Sequence, residues 1–115
     1  MIEDETNRLQ RLLALLILGV SDALNDEIIT IDEAERLLYS PNTMRFCEEI
    51  SASLDLTNAI HAGAELGSIK QLLASEEWDK SIDAIRTNAR TLIASTPPSD
   101  SQLDPWLPRL LKRRS

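Results

Sequence analysis

Hydrophobic residues recur at helical spacing over a long stretch near the start of the chain. Across residues 3–25 they fall three and four positions apart, which predicts an amphipathic helix. Leu15, Ile17 and Leu18 widen its apolar surface nearly all the way round, as expected for a helix at the centre of a bundle or against another copy. The predicted inward stripe comprises Leu9, Leu12, Leu13, Leu16, Val20, Ala23 and Leu24.

A second long helix is predicted over residues 76–95, with Ser75 as its N-cap. The segment that follows, Thr96-Pro97-Pro98-Ser99, ends regular structure. We expect the two long helices to form the core pair of the fold, because each carries an apolar stripe. The stripe of the second helix comprises Trp78, Ile82, Ile85, Ala89, Leu92 and Ile93.

Shorter helices are predicted between these two, each from a capping signal. Thr30 and Glu33 have the spacing of a capping box and start a helix over residues 31–39. Ser40 followed by Pro41 starts the next helix, which runs to about residue 53. The remaining signals are Asp55 or Thr57 as the cap of a fourth helix to Leu66, Gly67 as its left-handed end, and Ser68 as the cap of a short helix over 69–74.

These patterns together predict an all-α protein: a compact bundle of five or six helices over residues 1–96, with long first and last helices. Residues 97–115 form a basic tail that contains proline. Trp106 and Leu107 in this tail would be an unusual apolar surface to leave in water. They either pack on the bundle or bind a partner as a linear motif, and we expect packing.

Charge is divided unevenly between these two parts. The chain carries −7 overall: residues 1–100 have 18 acidic and 8 basic side chains, a net −10, and residues 101–115 have 1 and 4, a net +3. Residues 1–100, which we call the acidic body, repel nucleic acid and anionic membrane, so neither is expected as a partner. The charge serves solubility, or it attracts a basic protein partner.

A cytoplasmic location is predicted from three features of the sequence. Cys47 is the single cysteine, which rules out a disulfide within the chain and fits a reducing compartment. The first residues are acidic, whereas a secretory signal begins with basic residues. The apolar run over residues 12–20 is less than half as long as a membrane span.

Acidic residues concentrate after the first helix. Asp26, Glu27, Asp32 and Glu35 have no basic partner within easy reach in the sequence. These residues either form a solvated corner with no binding role, or form a docking patch for arginine or lysine side chains of a partner.

The same region, residues 22–33, can be compared with a twelve-residue calcium-binding loop, since Asp22, Asp26 and Glu33 occupy ligand positions. However, Leu24 stands at the third position, where a side-chain oxygen is needed, and Glu27 stands at the sixth, where the sharp turn favours glycine. We therefore expect a weak calcium site or none, and the sequence predicts no other metal or cofactor site.

Catalysis is not predicted either. His61 is the only histidine, and Cys47 is the nearest candidate nucleophile, but the apolar neighbours of Cys47 indicate a buried thiol. The chain has no Cys-x-x-Cys, no second histidine for zinc and no glycine-rich phosphate loop. The protein is therefore predicted not to be an enzyme.

Two segments carry a family resemblance. Residues 28–41, IITIDEAERLLYSP, and residues 60–66, IHAGAEL, resemble a family of small bacterial helical proteins of unknown function. The resemblance covers about two thirds of the chain, leaves out the basic tail and supplies no catalytic residues. By size and charge alone, the chain is also similar to immunity proteins that neutralise bacterial toxins.

Two functional hypotheses follow from the sequence. The first is an acidic protein-binding module, antitoxin-like or immunity-like, that covers a basic surface on a partner such as a nuclease toxin, because nucleases are basic where they hold phosphate. The alternative is a small structural or regulatory homo-oligomer that associates through the apolar first helix.

Overall fold

The computed structural model describes residues 3–69 and 75–96. Helices account for 85% of these residues and no strand occurs among them, so the predicted all-α class is confirmed. The predicted count of five or six helices is not matched: in the described residues four helices have nine residues or more, and the short α2 has seven. The helices are α1 (Glu3–Asn25), α2 (Ile31–Leu37), α3 (Pro41–Glu49), α4 (Leu54–Ile69) and α5 (Ser75–Ser95).

The three long helices α1, α4 and α5 pack side by side, with α5 in extensive contact with both others. Two contacts fix the antiparallel sense of α1 and α5: Arg11 near the start of α1 reaches Ile93 near the end of α5, and Asp22 near the end of α1 reaches Arg86. The short helices α2 and α3 pack against α4.

The core lies where these helices meet. Predicted positions on α5 are confirmed, with Ile82, Ile85, Ala89 and Leu92 buried and Trp78 and Ile93 packed at its edge. The buried positions on the other helices and in the turn after α2 include Ala14, Ile17, Leu24, Leu38, Tyr39, Cys47, Leu56, Ala59, Ile60 and Leu66.

On α1 the predicted stripe was rotated relative to the observed one. Leu16 was expected inside but is 46% exposed, whereas Ile17 is fully buried. The prediction failed because two polar residues, Gln10 and Ser21, belong to the buried line. Each has a hydrogen-bond partner in another segment: Gln10 Oε1 accepts from the Ser53 N–H at 2.6 Å, and Ser21 Oγ lies 3.0 Å from the Tyr39 hydroxyl.

Helix α1 ends in a left-handed residue that is not glycine. Glu27 has a φ of 60°. Its N–H donates to the carbonyl of Leu24 at 3.1 Å, and the next N–H, that of Ile28, donates to Ala23 at 2.8 Å. These are the two hydrogen bonds of a Schellman motif, which satisfies the last carbonyls of the helix.

Helix α3 ends in the same way, and earlier than predicted. Ser51 has a φ of 53°, and the Ala52 N–H donates to the carbonyl of Cys47 at 2.9 Å. The helix therefore stops at Glu49 rather than near residue 53.

Of the three helices between α1 and α5, two start at the predicted caps. Thr30 and Ser40 cap α2 and α3 as predicted, with their hydroxyls accepting from the backbone N–H of Glu33 at 3.1 Å and of Thr43 at 3.3 Å. Helix α4 is capped by Ser53, whose Oγ lies 3.4 Å from the Leu56 amide, rather than by Asp55 or Thr57.

Two further predictions concern the other end of α4. The helix continues to Ile69, and no glycine in the described part of the chain has a positive φ, so the predicted left-handed end at Gly67 is wrong. The short helix predicted over 69–74 lies outside the described residues apart from Ile69. The tail over 97–115, with Trp106 and Leu107, also lies outside them.

Candidate partner-binding surface

The turn between α1 and α2 brings three of the four predicted binding residues to the surface. Asp26 follows the last turn of α1, Glu27 occupies the left-handed position, and Asp32 lies in the first turn of α2; all three are exposed. We refer to Asp26, Glu27 and Asp32 as the acidic corner. It is rigidly framed, because the Schellman bonds fix one side and the Thr30 cap fixes the other.

The fourth predicted residue, Glu35, lies in a different environment. It is half-buried, and its Oε1 lies 2.7 Å from the point that a Cβ on Gly67 would occupy. Glu35 therefore packs on the backbone of α4, in space that exists because residue 67 has no side chain. Its contribution to the exposed charge is smaller than predicted.

A small pocket with both apolar and polar lining residues adjoins the acidic corner. It has a volume of about 250 Å³ and is lined by Leu24, Glu27, Ile29, Thr30, Ile31 and Trp78. Trp78 comes from the start of α5 and is half-buried against the core. The sequence pattern predicts Trp78 as a core residue only, because the packing of α5 against α1 is what brings it to the corner.

The start of α5 adds further negative charge beside the pocket. Glu77 and Asp79, the two neighbours of Trp78 in the sequence, are both exposed. Glu76 is exposed too and lies 4.0 Å from the Lys80 ammonium, a surface pair of low energy. Glu27 is the acidic residue in the lining of the pocket, and the acids of α5 are neighbours of Trp78 in the sequence.

Asp22, the first residue of the calcium-loop comparison, is engaged elsewhere. Arg86 on α5 donates from Nη1 to Asp22 at 2.7 Å and from Nη2 to Asp83 at 2.6 Å. These hydrogen bonds raise the pKa of Arg86, so the guanidinium stays charged and ties α5 to the end of α1. In residues 3–69 and 75–96, no three His, Cys, Asp or Glu side chains are placed to hold a metal ion.

Cys47 and His61 are placed very differently from each other. Cys47 is 1% exposed in α3, and burial, followed by the charge of Glu48, raises the pKa of its thiol. A thiol with a raised pKa carries little thiolate, which is the reactive form. His61 is exposed on α4.

The described residues define a small all-α bundle with an acidic, pocket-bearing corner. The chain belongs to the family described as "Protein of unknown function (DUF3969)", whose model matches residues 4–108. The match covers more of the chain than the resemblance described above, since it includes Trp106 and Leu107 of the tail. No curated protein and no solved structure matches the chain. Among the described helices, none combines the length and apolar character needed to cross a membrane.

Proposed function

We infer that this protein is an acidic protein-binding module that covers a basic surface on a partner protein. The observation that carries this inference is the pocket containing Trp78 directly beside the exposed carboxylates of Asp26, Glu27 and Asp32. A surface of this kind combines apolar contact area with charge, which is the usual composition of an energetically important site at a protein interface.

The partner group that fits this surface is a basic side chain, above all arginine. An arginine or lysine buries its aliphatic stem on apolar surface and keeps its charged head in a polar environment. Here the stem would lie on Ile29 and Trp78 while the head meets Glu27 at the pocket wall. A guanidinium also stacks favourably on an indole face, which adds about 0.5–2 kcal/mol depending on desolvation.

The class of partner follows from the negative charge of residues 1–100. Proteins that present several basic side chains on one face include nucleases, which use them to hold phosphate. A small acidic bundle that covers such a face would act as an immunity protein or antitoxin, in the cytoplasm of a bacterial cell. This proposal is supported by the size, the net −10 of residues 1–100 and the acidic corner, and it requires no catalytic step.

The test is capture of a partner from the native host, followed by binding kinetics. Asp26→Lys/Glu27→Lys should slow association more than it speeds dissociation, because charges at an interface rim mainly steer the encounter. The matched control is Glu48→Lys/Glu49→Lys, which makes the same charge change at two exposed positions on α3. This control should retain near wild-type binding if the corner itself is the contact.

Two more results bear on the pocket and on the electrostatics. Trp78→Leu keeps an apolar group at the core edge but removes the aromatic face, and should weaken binding by up to about tenfold, or roughly 1.4 kcal/mol. Binding should also weaken as salt rises, since screening acts over roughly 8 Å at physiological ionic strength. The proposal is wrong if the captured partner is acidic, if salt has no effect, or if both double variants lose binding equally.

A further inference from the structure

The side of α1 that faces away from the bundle is apolar. Leu15 and Leu16 are 48% and 46% exposed, Gly19 is exposed, and Leu12 is half-buried. These four residues, which we call the α1 outer face, lie opposite the buried line of the same helix. Two half-exposed leucines next to a half-buried third form an apolar patch that another surface can cover. The predicted contact residues Ile17 and Leu18 are not part of it, because Ile17 is fully buried and Leu18 packs against the core.

Gly19 lies in the middle of this face, and the fold of the single chain does not require a glycine there. A Cβ added at position 19 would meet nothing within 4 Å, and the residue has an ordinary helical φ. Glycine inside a helix costs about 1 kcal/mol relative to alanine. One arrangement that makes a glycine useful at such a position is the close approach of another backbone or a large side chain.

Charges at the two ends of the helix indicate what approaches. Arg8 and Asp26 lie on the same side of α1 as Leu12, Leu15 and Gly19, since the spacings between successive positions are those of one helical face. About 27 Å of helix separates Arg8 from Asp26, at a rise of 1.5 Å per residue, so they cannot pair within one chain. Two antiparallel copies of the helix would bring them together at both ends.

The register of such a pair can be checked against the apolar residues. In an antiparallel pair of identical helices, the residue numbers of every two facing residues add up to the same value. When Arg8 faces Asp26, the centre of the pair therefore lies at position 17. The same register places Leu15 opposite Gly19, twice by symmetry, so that Leu15 of each copy lies over the open space at Gly19 of the other. Asp22, which would face Leu12, has its carboxylate drawn towards α5 by Arg86. Charge and shape thus agree on one arrangement.

We propose that the α1 outer face is a homodimer interface, in which α1 of a second copy packs antiparallel across it. Arg8 of each copy meets Asp26 of the other, and Leu15 of each copy packs over Gly19 of the other. The arrangement is two-fold symmetric and self-complementary, as in most soluble homodimers. The interface shares Asp26 with the acidic corner, so dimerisation would pair one of the three corner carboxylates with Arg8 of the other copy and leave Glu27 and Asp32 free to meet a partner.

The experiment is sedimentation velocity and light scattering on the full chain across a range of concentrations. The wild type should be a dimer. Leu15→Glu should give a monomer with an unchanged far-ultraviolet circular dichroism spectrum, because the side chain is half-exposed in the single chain. Gly19→Leu should also give a folded monomer, since it fills the space that Leu15 of the other copy needs. Asp32→Lys, on the acidic corner but away from this face, should leave the dimer intact.

A charge exchange tests the antiparallel register. Arg8→Glu and Asp26→Arg should each weaken dimerisation by about tenfold, since each replaces two attractive contacts with repulsive ones. The double variant Arg8→Glu/Asp26→Arg should restore it, a result that neither a parallel pair nor a different face can give. These experiments measure the molecular mass of the protein alone, so their outcome does not depend on whether a partner binds the acidic corner.

Three outcomes would overturn the proposal. A wild-type monomer at the highest soluble concentration rules the dimer out directly. If the wild type is a monomer and Leu15→Glu makes residues 97–115 newly sensitive to trypsin, the α1 outer face is covered by the tail of the same chain. A dimer that Leu15→Glu and Gly19→Leu leave unchanged would place the interface elsewhere.

Discussion

The ring of Tyr39 lies directly against the backbone of Gly63, so closely that a Cβ at position 63 would overlap the ring carbons. Tyr39 is 3% exposed and follows the end of α2, while Gly63 is buried in the middle of α4. The glycine therefore creates the groove in α4 that receives the tyrosine. This contact fixes α2 on the bundle and so helps to position the acidic corner at its other end.

Gly63→Ala should destabilise the protein by about 1–3 kcal/mol, because an added methyl group in a filled core forces side chains off their rotamers or shifts the backbone. The measurement is the free energy of unfolding from urea titration. Gly19→Ala is the matched control: it makes the same chemical change in the interior of another helix, where the Cβ meets open space within the chain. Made in the Leu15→Glu background, where no dimer forms, it should stabilise the chain by up to about 1 kcal/mol. Equal effects at the two positions would contradict the tight Tyr39 contact.

The hydroxyl of Tyr39 is satisfied by Ser21 at 3.0 Å, and both residues are buried. Burial raises the pKa of Tyr39 and the hydrogen bond from Ser21 partly offsets this, so the phenol is neutral at physiological pH. Ser21→Ala should cost about 1–3 kcal/mol because it leaves the buried phenol without its partner. Ser21→Ala/Tyr39→Phe should cost less than the sum of the single variants. A double-mutant cycle by chemical denaturation measures this coupling, and strict additivity would argue against the hydrogen bond.

Glu27→Gly should stabilise the protein by about 1 kcal/mol, since it relieves the left-handed conformation of a residue with a Cβ. Glu27→Ala is the control: it removes the same charge but keeps the Cβ, and should bring no comparable gain. Thermal unfolding of both variants at low protein concentration distinguishes backbone strain from charge. A gain of the same size in both would mean that repulsion among the acidic residues, rather than backbone conformation, is relieved.

Much of the fold could be predicted from the sequence because its signals are local. The bounds of α1, the α5 core positions and the caps Thr30 and Ser40 all depend on residues within one or two turns of each other. The errors arose where distant partners decide the outcome. Gln10 and Ser21 are polar residues on the buried line of α1, and only their contacts with Ser53 and Tyr39 explain why they are tolerated there.

The candidate surface shows the same division. The exposed acids Asp26, Glu27 and Asp32 could be predicted from a cluster of like charges in one turn. The pocket could not, because it is formed when Trp78 of α5 packs beside the α1–α2 turn. The half-buried position of Glu35 could not be predicted for a related reason, since it depends on the space at Gly67 of another helix.

The thiol of Cys47 should react at least a hundredfold more slowly in the folded protein than in urea, because the buried group is inaccessible and its raised pKa lowers the thiolate fraction. Labelling with a chromogenic disulfide at pH 8 measures both rates on the single cysteine of the chain. Rapid labelling without denaturant would show that α3 opens readily.

The same raised pKa makes stability fall at alkaline pH. The thiol of the unfolded chain ionises first, near pH 8.5, so the stability is unaffected below that pH and decreases as the pH rises towards the pKa of the folded thiol. Cys47→Ala should abolish this part of the pH dependence. It should also lower the unfolding free energy at every pH, because the smaller side chain fills less of the core. An unchanged slope in Cys47→Ala would attribute the alkaline loss to Tyr39 instead.

Arg11 holds the C-terminal end of α5 against α1, since its guanidinium donates from Nη1 to the carbonyl of Ile93 at 2.8 Å and also to that of Thr96. The last carbonyls of a helix have no partner within the helix, and a cation there also interacts favourably with the helix dipole. Arg11→Met keeps much of the apolar stem but removes both hydrogen bonds, and should cost about 1–3 kcal/mol of unfolding free energy. Arg90→Met, at an exposed position on α5, is the control and should change stability by less than about 0.5 kcal/mol. Amide hydrogen exchange supplies the spatial test: in Arg11→Met the amides near the end of α5 should exchange faster, while those around Ile82 and Ile85 keep their rank among the slowest. If exchange rises uniformly along α5, or if Arg90→Met costs as much, Arg11 does not act as a cap of this helix end.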